Sequence, residues 1–218
     1  MIDLAFVITA FATLFVIIDP IALTPIFATM TQGAPAPARR KMALRACLVA
    51  FFILVAFTLF GEALMHFIGI SMPAFRVAGG ILLFLTALEM LFERRTKRRE
   101  GQADMAAEDA AQDSSSDDDN DPSVFPLAVP LLAGPGAIAT VILLAGQVPG
   151  WAGTAAVIGM VGVVLAVVFA SLLLSDLLER GLGKTGINVA TRILGMLLAA
   201  LAVQFVLDGL RNFGLMAG

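Results

Sequence analysis

Charge is what this chain has least of. Only 14% of its 218 residues are Asp, Glu, Lys or Arg and 59% are hydrophobic, against ~25% charged in an ordinary soluble domain. Of the 31 charged residues, 15 crowd between Glu93 and Asp121, so the remainder has almost nothing to solvate. From Ser123 to Ser175 the chain runs 53 residues without a charge, which exceeds the ~20 residues of one membrane span and must contain a turn near the headgroups. A soluble fold is excluded.

Cysteine is nearly absent too. Cys47, the single one, lies within a predicted span, which rules out an intramolecular disulfide, a CxxC redox pair and a cysteine-rich zinc site. No Walker loop, metal-ligand cluster or nucleophile–base arrangement is visible. The sequence therefore assigns no catalytic residue, metal, cofactor or nucleic-acid partner, and ATP-driven transport would need another subunit. Alternation of the strand type is missing as well, which excludes a barrel. The N-terminus has no basic region ahead of its apolar stretch, so residues 4 to 30 read as a retained helix.

What is present is a set of apolar segments at about 4–30, 43–66, 73–92, 123–145, 154–177 and 188–210. These predict six transmembrane helices in an all-α membrane protein. The loops after helices 1, 3 and 5 hold 11 basic residues, and Arg211 alone lies on the opposite side. The positive-inside rule then puts both termini outside the cytoplasm. Residues 93–122 read as a disordered cytoplasmic linker, a basic stem followed by an acidic tract.

The halves 1–92 and 123–218 look related. Helix 1 is interrupted at Asp19-Pro20-Ile21-Ala22-Leu23-Thr24-Pro25, and helix 4 at Pro126, Pro130 and Gly134-Pro135-Gly136. In the third helices, Arg76 stands three residues before Gly79, as Arg192 does before Gly195. With an odd number of spans in each half, such a repeat is inverted in the membrane. The register at the prolines stays open, because Pro130 and Pro135 have the same spacing as Pro20 and Pro25.

Proline inside a helix removes a hydrogen bond, and freed backbone groups at membrane depth need packed protein or a polar cavity. The substrate or ion site is therefore expected at the two breaks, from Asp19, Pro20, Thr24, Gly134, Pro135, Gly136 and Thr140. Asp19 either binds an ammonium, a sodium ion or a proton, or caps the second half-helix, and the two roles are compatible. If capping is retained, Asp19→Asn is expected to keep the fold and abolish ion-coupled accumulation. Thr24 and Thr140 offer hydroxyls to a cavity or bond to their own helices. Arg76 and Arg192 are either gates, pairing with Glu62 or Asp208 outside and Glu89 or Asp176 inside, or snorkelling anchors. Glu62 and His66, one turn apart, make a relay or an incidental pair. Gly79, Gly80 and Gly195 allow close helix approach.

Three segments resemble the MarC family of six-span bacterial membrane proteins: Phe15 to Pro25-Ile26-Phe27, Phe75 to Phe84, and Phe125 to Ile138. The resemblance covers the whole chain except the acidic linker. It implies a bacterial inner-membrane location, and some relatives are described as transporters of small neutral amino acids such as glycine and alanine. The expected function is thus a proton- or sodium-coupled secondary transporter working by alternating access, whose partners are a small solute, an ion, the bilayer and, in an oligomer, further copies of itself. The alternatives are export of another small solute or ion, and a scaffold recruiting a partner through the acidic linker.

Overall fold

The computed structural model describes residues 3–95, 98, 99, 101, 123–148 and 150–214, without the side chains of 123–126 and 184. Among these every secondary-structure element is a helix. Residues 102–122, where the acidic part of the expected linker falls, lie outside that description.

The first expected span is two helices, α1 (Leu4–Ile18) and α2 (Pro20–Met30), joined at Asp19. Two long helices follow, α3 (Ala36–Ile68) and α4 (Met72–Leu91). Past the linker, the expected fourth span is again two pieces, the π-helical α5 (Ser123–Leu132) and α6 (Pro135–Ala145). The chain then continues through α7 (Trp151–Leu173) and α8 (Ser175–Asn212). Among the described residues five stretches are long and apolar enough to cross a membrane, namely Leu4–Met30, Ala36–Ile68, Met72–Leu91, Trp151–Leu173 and Thr185–Asn212. The fourth expected span is not among them, because it breaks at Ala133-Gly134 ahead of Pro135 and leaves α6 at 11 residues.

Another difference concerns the loop expected to carry Arg180 and Lys184. Residues 175–182 are helical and turn into the rest of α8 at Gly183, where φ 60 and ψ 174 are accessible to glycine almost alone. α3 starts seven residues before its predicted boundary, since Pro37 suits a first turn and Arg39, Arg40, Lys41 and Arg45 extend it toward water.

Packing is built on small residues. α3 turns a stripe of Ala43, Ala46, Cys47, Ala50, Leu54, Thr58, Gly61 and Met65 inward. The most extensive helix contact is α4 on α8. There a Cβ on Gly80 would stand 2.8 Å from the Ala202 carbonyl, and one on Gly195 would stand 3.0 Å from Met90 Cβ and 3.3 Å from the Ala87 carbonyl. Close approach is thus what these glycines permit. Gly79 does the same against Leu143. The outside of the bundle is apolar instead, with Phe52, Phe60, Phe67, Leu85 and Trp151 exposed, as lipid contact requires.

Contacts run chiefly between the halves and barely within them. α4 meets α8 and α3 meets α7, and most of the remaining cross-half contacts come in reciprocal pairs: α3 with α5 as α7 with α1, α3 with α6 as α7 with α2, and α4 with α6 as α8 with α2; α1 also meets α6 and α8, with no counterpart of that extent among the described residues.

Candidate functional site

The site follows from counting backbone groups at the breaks. α1 ends when Asp19 turns left-handed (φ 57, ψ 72) and its N–H closes on the Phe15 carbonyl at 2.9 Å. Pro20 begins α2 with no N–H to give. The Ala22 N–H, which an unbroken helix would send to Ile18, donates to Asp19 Oδ1 at 3.3 Å. Asp19 is therefore the N-cap of α2. Ile17 and Ile18 are left with carbonyls that have no helical donor.

Two arginines take those carbonyls. Arg95 Nη2 donates to Ile17 O, and Arg99 Nη2 donates to Ile18 O at 3.2 Å. The same Arg99 nitrogen reaches Leu131 O at 3.3 Å, which is the carbonyl that Pro135 would have served had it kept an N–H. One guanidinium thereby ties together the ends of α1 and α5. Both arginines are buried, at 6% and 4% exposed, and both act electrostatically on the fully buried Asp19.

α6 starts against this arrangement. Gly134 is its N-cap residue and carries no capping side chain, and Pro135 occupies the first turn as Pro20 does in α2. Gly134 has no space for a Cβ, which would lie 2.5 Å from the Pro130 carbonyl oxygen. Gly136 meets the other break directly, since its Cβ would stand 2.9 Å from Ile17 Cδ1. A cavity of about 260 Å³ opens here, with walls that include Thr86, Arg95, Arg98, Arg99 and the turn Gly134-Pro135-Gly136.

The structure thus brings together Asp19, Pro20, Gly134, Pro135 and Gly136. Thr24 and Thr140 lie close in sequence but turn to their own helices. Thr24 Oγ1 donates at 2.8 Å to Ile21 O, the carbonyl orphaned by Pro25, and Thr140 Oγ1 donates to Gly136 O at 2.8 Å. Both are fully buried and neither lines the cavity.

The arginines in the third helices have different surroundings from those expected. Arg192 pairs with Glu93 at 2.8 Å, and not with Glu89 or Asp176. Those two carboxylates are engaged elsewhere, Glu89 with Arg98 at 2.7 Å and Asp176 with Arg39 at 2.8 Å. The Arg39 hydrogen bond holds the exposed Asp176 carboxyl below its ordinary value. Arg76 sits half-buried near the start of α4 with its Nε buried and unpartnered among the described residues. Asp208 accepts from Gln204 at 3.0 Å. Glu62 and His66 are both exposed on α3.

Sequence reasoning missed Arg95 and Arg99, which it assigned to a solvated basic stem. Their burial corrects that reading. The available signal was their spacing, since positions four apart share a helix face and can enter one crevice together.

The description MarC family integral membrane protein belongs to the family model that matches residues 4–213. A UPF0056 membrane protein of Aquifex aeolicus is 40% identical over 205 residues, 94% of this chain and 92% of its own. The UPF0056 membrane protein YvbG of Bacillus subtilis is 37% identical over 208 residues, 95% of each chain. The UPF0056 inner membrane protein YhgN of Escherichia coli is 32% identical over 207 residues, 94% of this chain and 96% of its own. No solved structure matches.

Proposed function

Because the chain belongs to the MarC family of integral membrane proteins, we propose that it is a secondary transporter of small neutral amino acids, coupled to protons or sodium. Its substrate site lies where the two broken helices meet. The observation that carries this reading is the convergence of both breaks on one small cavity, bridged by Arg99. At about 260 Å³ the cavity is below the ~300–1,000 Å³ of pockets for drug-sized ligands.

Six crossings in two inverted halves are part of the proposal. The reciprocal contacts between halves support it, as does the equivalence of α2 and α6, each 11 residues long with proline in its first turn. That common position also favours aligning Pro20 with Pro135. At about 1.5 Å per residue each half-helix is ~16 Å long, half of a ~30 Å hydrocarbon layer, which suits breaks near the midplane. The cytoplasmic assignment of one end draws support from the grouping of Arg39, Asp176, Glu179 and Arg180 with the turn after α2. Residues from the start of α1, the turn after α6 and the end of α8 share another cavity, as termini on the opposite side would. A bacterial inner membrane is the proposed location, in keeping with the name of the E. coli relative.

In alternating access, Asp19 acts as the cation-handling group. It is sealed in this state, fully buried and outside the cavity wall, while Arg95 and Arg99 are part of that wall. Exposing Asp19 to substrate or ion requires the segment bearing these arginines to withdraw. Arg192–Glu93, Arg98–Glu89 and Arg39–Asp176 close the same end, and Arg76 is the counterpart at the other. The transport cycle assigns the protein neither a catalytic step nor a cofactor.

The test is uptake of labelled glycine, alanine and serine by purified protein in liposomes, with proton and sodium gradients imposed in turn. Accumulation under one gradient that collapses with an ionophore is expected. Absence of both accumulation and counterflow for all three solutes overturns the proposal.

A further inference from the structure

The charges around the breaks do not balance. Arg95 and Arg99 are both more than nine-tenths buried, and among the described residues the one carboxylate buried with them is Asp19. Arginine keeps its proton in proteins. Helix ends do not remove the excess, because each terminus carries roughly half an elementary charge and the carbonyl ends of α1 and α5 are matched by the N–H ends of α2 and α6. Arg98, also in the wall, is already paired with Glu89. Among the described residues the cluster is left with about one uncompensated positive charge, which is costly at such burial.

Two observations locate the missing partner. Arg99 spends Nη2 on the Ile18 and Leu131 carbonyls, but its Nη1 is buried with no hydrogen-bond partner among the described residues. α6 begins in the same cavity without a side-chain cap, so the N–H groups of Gly136 and Ala137 have no intrahelical acceptor. Unused donors of two independent kinds thus line one small space.

We infer that this cavity binds one small monovalent anion of the carboxylate type, held by Arg99 Nη1 and the first-turn N–H groups of α6. A guanidinium and a helix N-terminus both favour oxygen anions, and the planar guanidinium matches a carboxylate. One negative charge restores neutrality, whereas a dianion would reverse the imbalance. The cavity is the one proposed above as the substrate site, and the inference deepens that reading; binding at equilibrium needs no gradient or net movement of solute, so the two fail separately.

Acetate is the probe, titrated calorimetrically into the full chain in neutral detergent at low chloride. Saturable binding of one acetate per chain is expected. Arg99→Lys keeps the charge but loses the fork, and should weaken binding roughly tenfold or more. Since that change also disturbs two backbone carbonyls, Thr86→Leu is the second variant: it narrows the cavity from α4, leaves Arg99 in place, and should abolish binding at an unchanged unfolding temperature. No saturable acetate binding by the unmodified chain, or unaltered binding by Thr86→Leu, overturns the inference. So does tight chloride or phosphate binding that acetate fails to displace. Neutralising the acidic residues of 104–121 should leave acetate affinity unchanged; a rise would give the cavity to the chain's own carboxylates and refute a solute site. Acetate binding without amino acid uptake would reject the transport proposal alone.

Discussion

Asp19→Asn separates the charge of the broken-helix site from its geometry. Asparagine tolerates the left-handed backbone at φ 57 and keeps an oxygen for the Ala22 N–H. What disappears is the buried carboxylate facing Arg95 and Arg99. Asp19 Oδ2 has no hydrogen-bond partner among the described residues, so what is lost is longer-range compensation of the two guanidiniums, about 1–3 kcal/mol, and at 6% and 4% exposure neither arginine can turn to water without local opening. The buried arginines thus change the expectation that this variant folds unaltered. Asp19→Ala should lie a further ~1.5–4 kcal/mol lower, having lost the cap and taken on left-handed strain. If the cost is electrostatic, combining Asp19→Asn with Arg95→Gln should recover about 1–3 kcal/mol relative to additivity. Reversible unfolding in mixed detergent micelles, followed by far-ultraviolet circular dichroism, measures all five chains, the single Arg95→Gln variant included. An Asp19→Asn protein within ~0.5 kcal/mol of the unmodified chain, or strictly additive effects, would refute the buried-charge reasoning.

Other substitutions test other parts. Gly80→Ala places a Cβ 2.8 Å from the Ala202 carbonyl and 2.7 Å from Val206 Cγ2, and should cost about 1–3 kcal/mol by unfolding. Gly159→Ala in α7, with nothing within 4 Å, should instead gain about 0.5–1 kcal/mol. Equal effects would dismiss close α4–α8 packing. Gly183→Ala should cost about 1–3 kcal/mol, because φ 60 with ψ 174 suits glycine almost alone; an unchanged unfolding temperature would argue against that turn. Asp176 titrates below its ordinary 3.8 in the folded chain through the Arg39 hydrogen bond. Its contribution is thus complete above about pH 3.8 and lost as pH falls through the lower folded value. Asp176→Asn should flatten the acid end of a stability-against-pH curve, and an identical acid slope in both chains would remove the pair from the account.

The breaks were legible because proline acts locally. Asp19-Pro20 and Gly134-Pro135-Gly136 state in a few adjacent residues that a helix stops, that one donor is missing and that another helix starts. The meaning of Arg95 and Arg99 was not, for a basic cluster beside a span reads the same whether water or protein receives it. Their acceptors lie 78, 81 and 32 residues away, beyond any local pattern. Thr24 shows a finer limit. Its hydroxyl was visible, but whether it would face a cavity or repair the carbonyl orphaned by Pro25 was settled by which came first within reach. The outward shift of α8's start went unread for a similar reason, since Arg180 and Lys184 suggest a loop although Leu177, Leu178 and Leu182 are also present.

The scarcity of contacts within each half sets an order of events during synthesis. When α3 leaves the ribosome its inward stripe of alanines has no partner, because α7 begins at Trp151. About 100 residues separate the two, so at ~5–20 residues per second the stripe waits on the order of 5–20 seconds. In that interval the newborn helices can be held upright only by lipid and by the insertion machinery around them. Quality control will therefore meet this chain with its small-residue faces bare, and a message truncated after residue 92 should yield a product destined for proteolysis.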